Sequence, residues 1–492
     1  MDLIEPTADA GPSLPVPEAA PPRAPLQERL AQLLNAANEH EAAGLYDEAE
    51  ALLAQILAIA PEFPAALHLS GIIAFRRGRA TEAIAKIERS IALNPEQALF
   101  YRNVCEIYRR AGRYDDALAA GRRAIQLDPN DARALVNLSV LHFHRLELDD
   151  AIACAEKALA LDRDMPGAHF GIAEAALLRG DFHRGWEEYE WRFRIGGAAP
   201  FMPPSDQPQW DGKPLSPGAT LLLIADQGFG DCIQFSRYIA WAAERCPSIA
   251  VACSRELQPV IMQQPGIGQV FDRWEEKPDF AAYCPLSGLP RLAETRLDTI
   301  PAASSYVRAD PAAAAMWTER LDALLPRGWR RIGIAWAGRP AHPNDDNRSI
   351  PLKALAPLGE FPNTAFVSLQ KGPGQAQIGT YWGRAPLINL GPEIADFGDT
   401  MAIIDGLDLV ITVDTAVGHL AGAMGIPVWI ILPFAPDWRW LLGRNDSPWY
   451  GSVRLFRQPA PRQWEPVIAA IAKEIAHIPR TPQGAATLMM PT

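Results

Sequence analysis

The chain is poor in the features that mark several common protein classes. Its six cysteines, Cys105, Cys154, Cys232, Cys246, Cys253 and Cys284, include no C-x-x-C pair and none at zinc spacing with histidine. A disulfide framework and a structural zinc are therefore not expected, and reduced, buried thiols are. No apolar run approaches the roughly 20 residues that cross a bilayer, so no membrane span is expected. Positive charge is scarce: 46 Lys and Arg stand against 58 Asp and Glu, a formal net charge of -12. A nucleic-acid footprint or an anionic-membrane surface needs clustered cations, and neither is expected here. The opening MDLIEPTADAGPSLPVPEAAPPRAP has no basic start and no apolar core. It does not read as a secretory signal, and a cytoplasmic location is expected. Residues 1–26 read instead as a disordered Pro/Ala-rich lead-in.

What is present first is a repeat. Pro61, Pro95 and Pro129 are 34 residues apart, and LDRD at 161 keeps their register. Gly44, Gly78, Gly112 and Gly180 hold a second register, with Leu146 in the missing slot, and Ala49, Ala83, Ala117 and Ala151 hold a third. Small residues at fixed points let antiparallel helices approach closely, and each Pro marks the turn into the next pair. The pattern resembles the tetratricopeptide repeat and predicts an all-α solenoid over 27–195, its concave groove a peptide-binding surface. Asp162-Arg163-Asp164 reads as an inter-repeat turn rather than a metal motif. His142 and His144, two apart on a helix, do not share a face. Trp186, Tyr189, Trp191 and Phe193 are expected to cap the solenoid's last apolar face, before a Pro-rich linker over 196–218.

Beyond the linker, strand and helix patterns alternate, which predicts an α/β region of two parallel-sheet lobes, 219–328 and 329–480, then a tail over 481–492. TLLLIA (220–225) is a continuous apolar run, followed at once by DQGFGD. Gly228 and Gly230 suit a tight turn at a ligand crevice. The dinucleotide fingerprint is incomplete, because Ile233 stands where its third Gly belongs. In the second lobe VDTAVGHLAGAMGIP (413–427) ends a strand and opens a helix. Either its first turn holds a diphosphate, with Asp414, Thr415, Gly418 and His419 around it, or Asp414 and Thr415 merely cap the helix and His419 packs on the sheet.

Together GFGD (228–231), GRPAHPNDDNRSIPL (338–352), SLQKG (368–372) and VDTAVGHLAGAMGIP resemble the ADP-heptose–lipopolysaccharide heptosyltransferase family, in its repeat-bearing subgroup. PDWRW (436–440) and SPWYGSVRLFRQ (447–458) resemble that subgroup too. The resemblance implies a GT-B fold, two Rossmann-like lobes, and metal-independent inverting transfer from a nucleotide-sugar donor, with no cofactor. It implies Asp231 as general base, with Gly228, Gly230, Asp414, Thr415, Gly418 and His419 at the donor and Arg348 and Lys371 as phosphate cations. A repeat solenoid fused to a transferase also resembles O-GlcNAc transferases and the repeat-bearing flagellin glycosyltransferases of bacteria, which implies a protein acceptor. Asn35, Asn103 and Asn137 share one repeat position. They resemble a peptide-gripping asparagine ladder, or else are Asn tolerated on a solvated face. A non-catalytic scaffold, an epimerase, and transfer to a glycan or lipopolysaccharide acceptor are the competing readings.

Overall fold

A computed structural model describes residues 24–196, 203, 205–301 and 305–476. The expected lead-in up to residue 23, most of the first half of the linker and the expected tail lie outside them. The chain divides into two compact units, Met1–Ala175 and Ala176–Thr492.

The first unit is helical throughout its described residues. Its pairs are α1 (Ala24–Ala42) with α2 (Tyr46–Ile59), α3 (Pro64–Arg76) with α4 (Ala80–Leu93), α5 (Ala98–Arg110) with α6 (Tyr114–Leu127), and α7 (Ala132–His144) with α8 (Leu148–Leu161). The unit boundary falls inside α9 (Pro166–Arg179). The three sequence registers each have a place. Ala49, Ala83, Ala117 and Ala151 are fully buried at the helix contacts. Gly44, Gly78 and Gly112 turn between paired helices at φ of 75°, 76° and 77°, the left-handed region that costs an L side chain energy. Leu146 accepts the same conformation, at φ 59°. Asp162 caps the turn as expected, its carboxylate accepting from the Asp164 N–H at 3.1 Å.

The second unit begins with α10 (Phe182–Tyr189) and a 3-10 turn, Glu190–Arg194. The aromatic residues here were expected to cap the solenoid. The structure packs Trp186 within the α/β unit: its ring meets Trp438 edge-on at 5.2 Å, and its N–H donates to the Thr295 carbonyl at 3.0 Å. The far half of the expected linker is also part of this unit. Trp210 is buried, and its backbone N–H donates to the Tyr283 carbonyl at 2.7 Å.

Ten strands follow among the described residues: β1 (Thr220–Ile224), β2 (Ser248–Ala252), β3 (Ile267–Phe271), β4 (Ala282–Pro285), β5 (Arg330–Ala335), β6 (Thr364–Ser368), β7 (Leu387–Asn389), β8 (Leu409–Val413), β9 (Val428–Leu432) and β10 (Val453–Arg457). They form a four-stranded sheet, β3-β2-β1-β4, and a six-stranded sheet, β10-β9-β8-β5-β6-β7. Every pairing between them is parallel. Every residue of β8 and β9 is buried, as strands covered by helices on both faces require. Central strands of the two sheets, β1 and β8, deliver the two motif-bearing turns from their carboxyl ends, where parallel sheets place ligands.

Candidate functional site

The turn after β1 leads into the helix Phe229–Ser236, with Gly228 at its N-cap. Asp231 lies in the first turn of that helix. The turn after β8 leads into the helix Ala416–Met424, with Thr415 at its N-cap. The two turns touch. A Cβ built on Gly230 would stand 2.7 Å from the His419 ring, so only glycine permits this approach. Sequence spacing singles out both motifs without saying that they meet.

His419 is held from several sides. It is buried, its Nδ1 lies 2.8 Å from the Tyr450 hydroxyl, and its ring tilts against Trp440 at 5.3 Å. Its Nε2 faces the Asp414 carboxylate at 3.6 Å. Burial would raise the Asp414 pKa, but the His419 contact and the charges of Arg439 and Arg348 outweigh it and hold the carboxyl well below its usual range. Burial pushes the imidazole the other way from Asp414's pull, and it wins, so the His419 pKa is lowered. The favoured state is a charged Asp414 beside a neutral His419.

A cation that sequence reasoning missed sits at the centre. Arg439 is buried in the 3-10 turn Trp438–Trp440. Its guanidinium donates from Nη2 to Asp231, from Nη1 to Asp437 at 2.9 Å, and from Nε to the Gln234 amide oxygen at 2.7 Å. Asp231 and Gln234 come from the first lobe, Asp437 and Arg439 from the second. Arg237 makes a second crossing, donating to the Trp449 carbonyl at 2.6 Å. Burial, with the nearby Asp414 and Asp231 charges, pushes the Asp437 carboxyl up to about 6 against the pull of Arg439. Asp437 and Arg439 lie in PDWRW, a segment that stands out in the sequence for its resemblance and not for its charges.

The other expected residues divide. Arg348 joins the cluster: Nη1 donates to the Asp414 carbonyl at 3.1 Å and Nε to Asp345 at 3.3 Å. Lys371 is taken up elsewhere, donating to the carbonyls of Gly391 at 3.0 Å and Ile394 at 2.6 Å. Thr415 does not cap its helix with its side chain; its hydroxyl pairs with that of Thr412 at 3.0 Å. Gly418 turns toward the sheet, where an added Cβ would meet Thr412 at 3.1 Å and Ile430 at 3.2 Å. Its smallness serves helix–sheet packing.

In the solenoid, Asn103 and Asn137 are buried rather than solvated. Asn103 Nδ2 lies 3.1 Å from His68 Nε2, and Asn137 donates to the Arg102 carbonyl at 3.2 Å. Their amides are engaged by neighbouring helices, while Asn35 is exposed. His142, Glu147 and Asp150 bring three ligand atoms within 4.8 Å of one another, but Glu147 also accepts from Arg145 at 2.8 Å. Among the described residues no helix is long and apolar enough to cross a membrane.

Comparison with known proteins bears chiefly on the helical part. One tetratricopeptide-repeat profile matches residues 34–98 and 145–185, and a second matches 98–131. Protein FlbA of Caulobacter vibrioides is 28% identical over 341 residues, which cover 63% of this chain. The match spans 55% of FlbA's own length. Its 341 residues exceed the whole first unit, so the similarity takes in part of the α/β region. Among solved structures, PilF of Pseudomonas aeruginosa is similar at 19% identity and a TM-score of 0.33, covering 35% of this chain and 78% of that one. A thermophilic repeat protein of Thermus thermophilus is similar at 23% identity and a TM-score of 0.31, covering 34% and 91%. The chain thus carries tetratricopeptide repeats over residues 34–131 and 145–185, followed by an α/β region of two parallel sheets.

Proposed function

We propose that the α/β unit is a metal-independent, inverting glycosyltransferase of the GT-B architecture, using a nucleotide-sugar donor, and that the repeats select a protein acceptor. One observation carries the reading: Asp231, after β1, and Asp414 with His419, after β8, converge at the Gly230–His419 contact with Arg439 between them. In this reading the acceptor hydroxyl gives its proton to Asp231. Its oxygen bonds to the anomeric carbon from the face opposite the diphosphate. The bond from that carbon to the phosphate oxygen breaks, and its electron pair leaves with the nucleoside diphosphate. The start of the helix Ala416–Met424, Arg348 and Arg439 meet the leaving-group charge. A diphosphate that engages Arg439 competes with Asp231 for it and so frees the base. Thermal shifts against ADP-, UDP-, GDP- and CMP-linked sugars test the donor half, because binding stabilises by mass action. No stabilisation by any of them contradicts it. A chain beginning at Pro166, which keeps α9 and α10, should hydrolyse donor yet fail on the protein acceptor. Transfer equal to the full chain's would remove acceptor selection from the repeats.

A second reading is a non-catalytic repeat scaffold. It is favoured by the ion pair that already engages Asp231. Measured nucleotide-sugar hydrolysis separates the two.

A further inference from the structure

By sequence α10 is a repeat helix, since the repeat profile runs to residue 185. By packing it belongs to the α/β unit, and it is fastened to both lobes. On the first lobe, the Trp186 N–H donates to the Thr295 carbonyl at 3.0 Å. The Arg192 guanidinium, buried just after α10, donates from Nε to the Ser287 hydroxyl at 3.0 Å, and that hydroxyl donates in turn to Asp226 beyond β1. On the second lobe, Phe182 stacks on Trp449 at 6.0 Å, while Trp186 and Tyr189 meet Trp438 at 5.2 and 6.2 Å. Phe235 and Trp449 complete the ring of aromatics around Trp438, at 6.5 and 5.9 Å.

Trp438 is the residue between Asp437 and Arg439. A large side chain boxed on several sides fixes the backbone on which it stands, and with it the direction of its two charged neighbours. We propose that Trp186 is a positioning residue of the site: it acts through Trp438 to hold Asp437 against Arg439 and to aim Arg439 at Asp231. The last repeat helix is on this account a strut of the transferase, not part of the partner-selecting surface. The inference rests on the glycosyltransferase reading for its catalytic consequence and on packing alone for its mechanical one.

The test uses the full chain with two readouts. In hydrogen exchange, Trp186→Ala should speed exchange in the segment 433–443 well beyond the change caused by Ile468→Ala, a control in the second lobe's core. In donor turnover, Trp186→Ala should lower kcat by roughly 10–100-fold, as small displacements of catalytic groups do. Trp186→Phe, which keeps a ring but loses the N–H, should fall between that variant and the parent. The double variant Trp186→Ala, Arg439→Ala should be no slower than Arg439→Ala alone, because residues acting through one group are not additive. Unchanged exchange at 433–443, or rate losses that multiply, overturns the proposal. If the parent chain turns over no donor, the proposed function fails, and the exchange result alone decides whether Trp186 holds the cleft. If Trp186→Ala does not fold, the Trp186→Phe exchange and rate data decide the matter in the same way.

Discussion

Both units bury charge, and they pair it differently. In the solenoid, Glu106 is buried against Arg109 and Arg110, three and four residues along its own helix. Arg102 meets Asp131 of the adjoining repeat at 3.2 Å. Each partner lies within about one repeat. In the α/β unit, Arg439 gathers Asp231 from the other lobe and Asp437 from its own turn, with the Asp414 charge close by. Local pairing satisfies a charge wherever the repeat is copied. Pairing across two lobes satisfies it only when both sheets are assembled, so the charges of this cluster depend on the fold of the whole unit. Burial, with the surplus carboxylates nearby, also leaves one of them, Asp437, with its pKa displaced toward neutrality.

The sharpest way to break the comparison is Arg439→Ala. It strands Asp231 and Asp437 and should cost about 3–5 kcal/mol. The loss should sit toward the lower end of that range, because the Asp231 side chain is 23% exposed. Denaturant unfolding should show the loss in the α/β transition and leave the helical transition in place. An equal shift of both would mean that the units do not unfold separately.

A smaller effect is expected from pH. Asp437 binds its proton more tightly folded than unfolded, so its contribution is complete below about pH 4 and is lost as pH rises through about 6. Stability relative to Asp437→Asn should therefore fall between about pH 4 and about pH 6. Melts at several pH values check the sign, and a rise over that window would contradict it.

The smallest effect lies in the solenoid. Leu146→Gly removes an L side chain from the left-handed region and should stabilise the helical unit by about 0.5–1 kcal/mol. Transfer should not change.

The same contrast explains how far the sequence could be read. The repeat was legible because Gly, Ala and Pro act on neighbours at fixed spacing. Strands β8 and β9 were legible because a wholly buried strand is wholly apolar. Strand β3 was not, since Gly268 and Gln269 are exposed and break the apolar run. Asp231, Asp414, Arg348 and His419 could be chosen from turns and resemblance, and the structure brings these four into one cluster with Arg439. The centrality of Arg439 was not legible, because its partners are set by how the lobes assemble. Lys371 is a phosphate cation by resemblance alone, but backbone carbonyls hold it. The tryptophans around α10 stand out in the sequence but do not name their neighbour: an aromatic helix after a solenoid looks like a cap, and only the fold shows Trp438 and Trp449 against it.

The central claim is that Asp231 accepts the acceptor's proton and is not itself a donor contact. The most direct measurement compares Asp231→Asn with the parent chain, using one nucleotide sugar for both thermal shift and transfer. The account predicts a retained thermal shift and transfer lower by roughly 10²–10⁴-fold. Transfer at the parent's rate would contradict it.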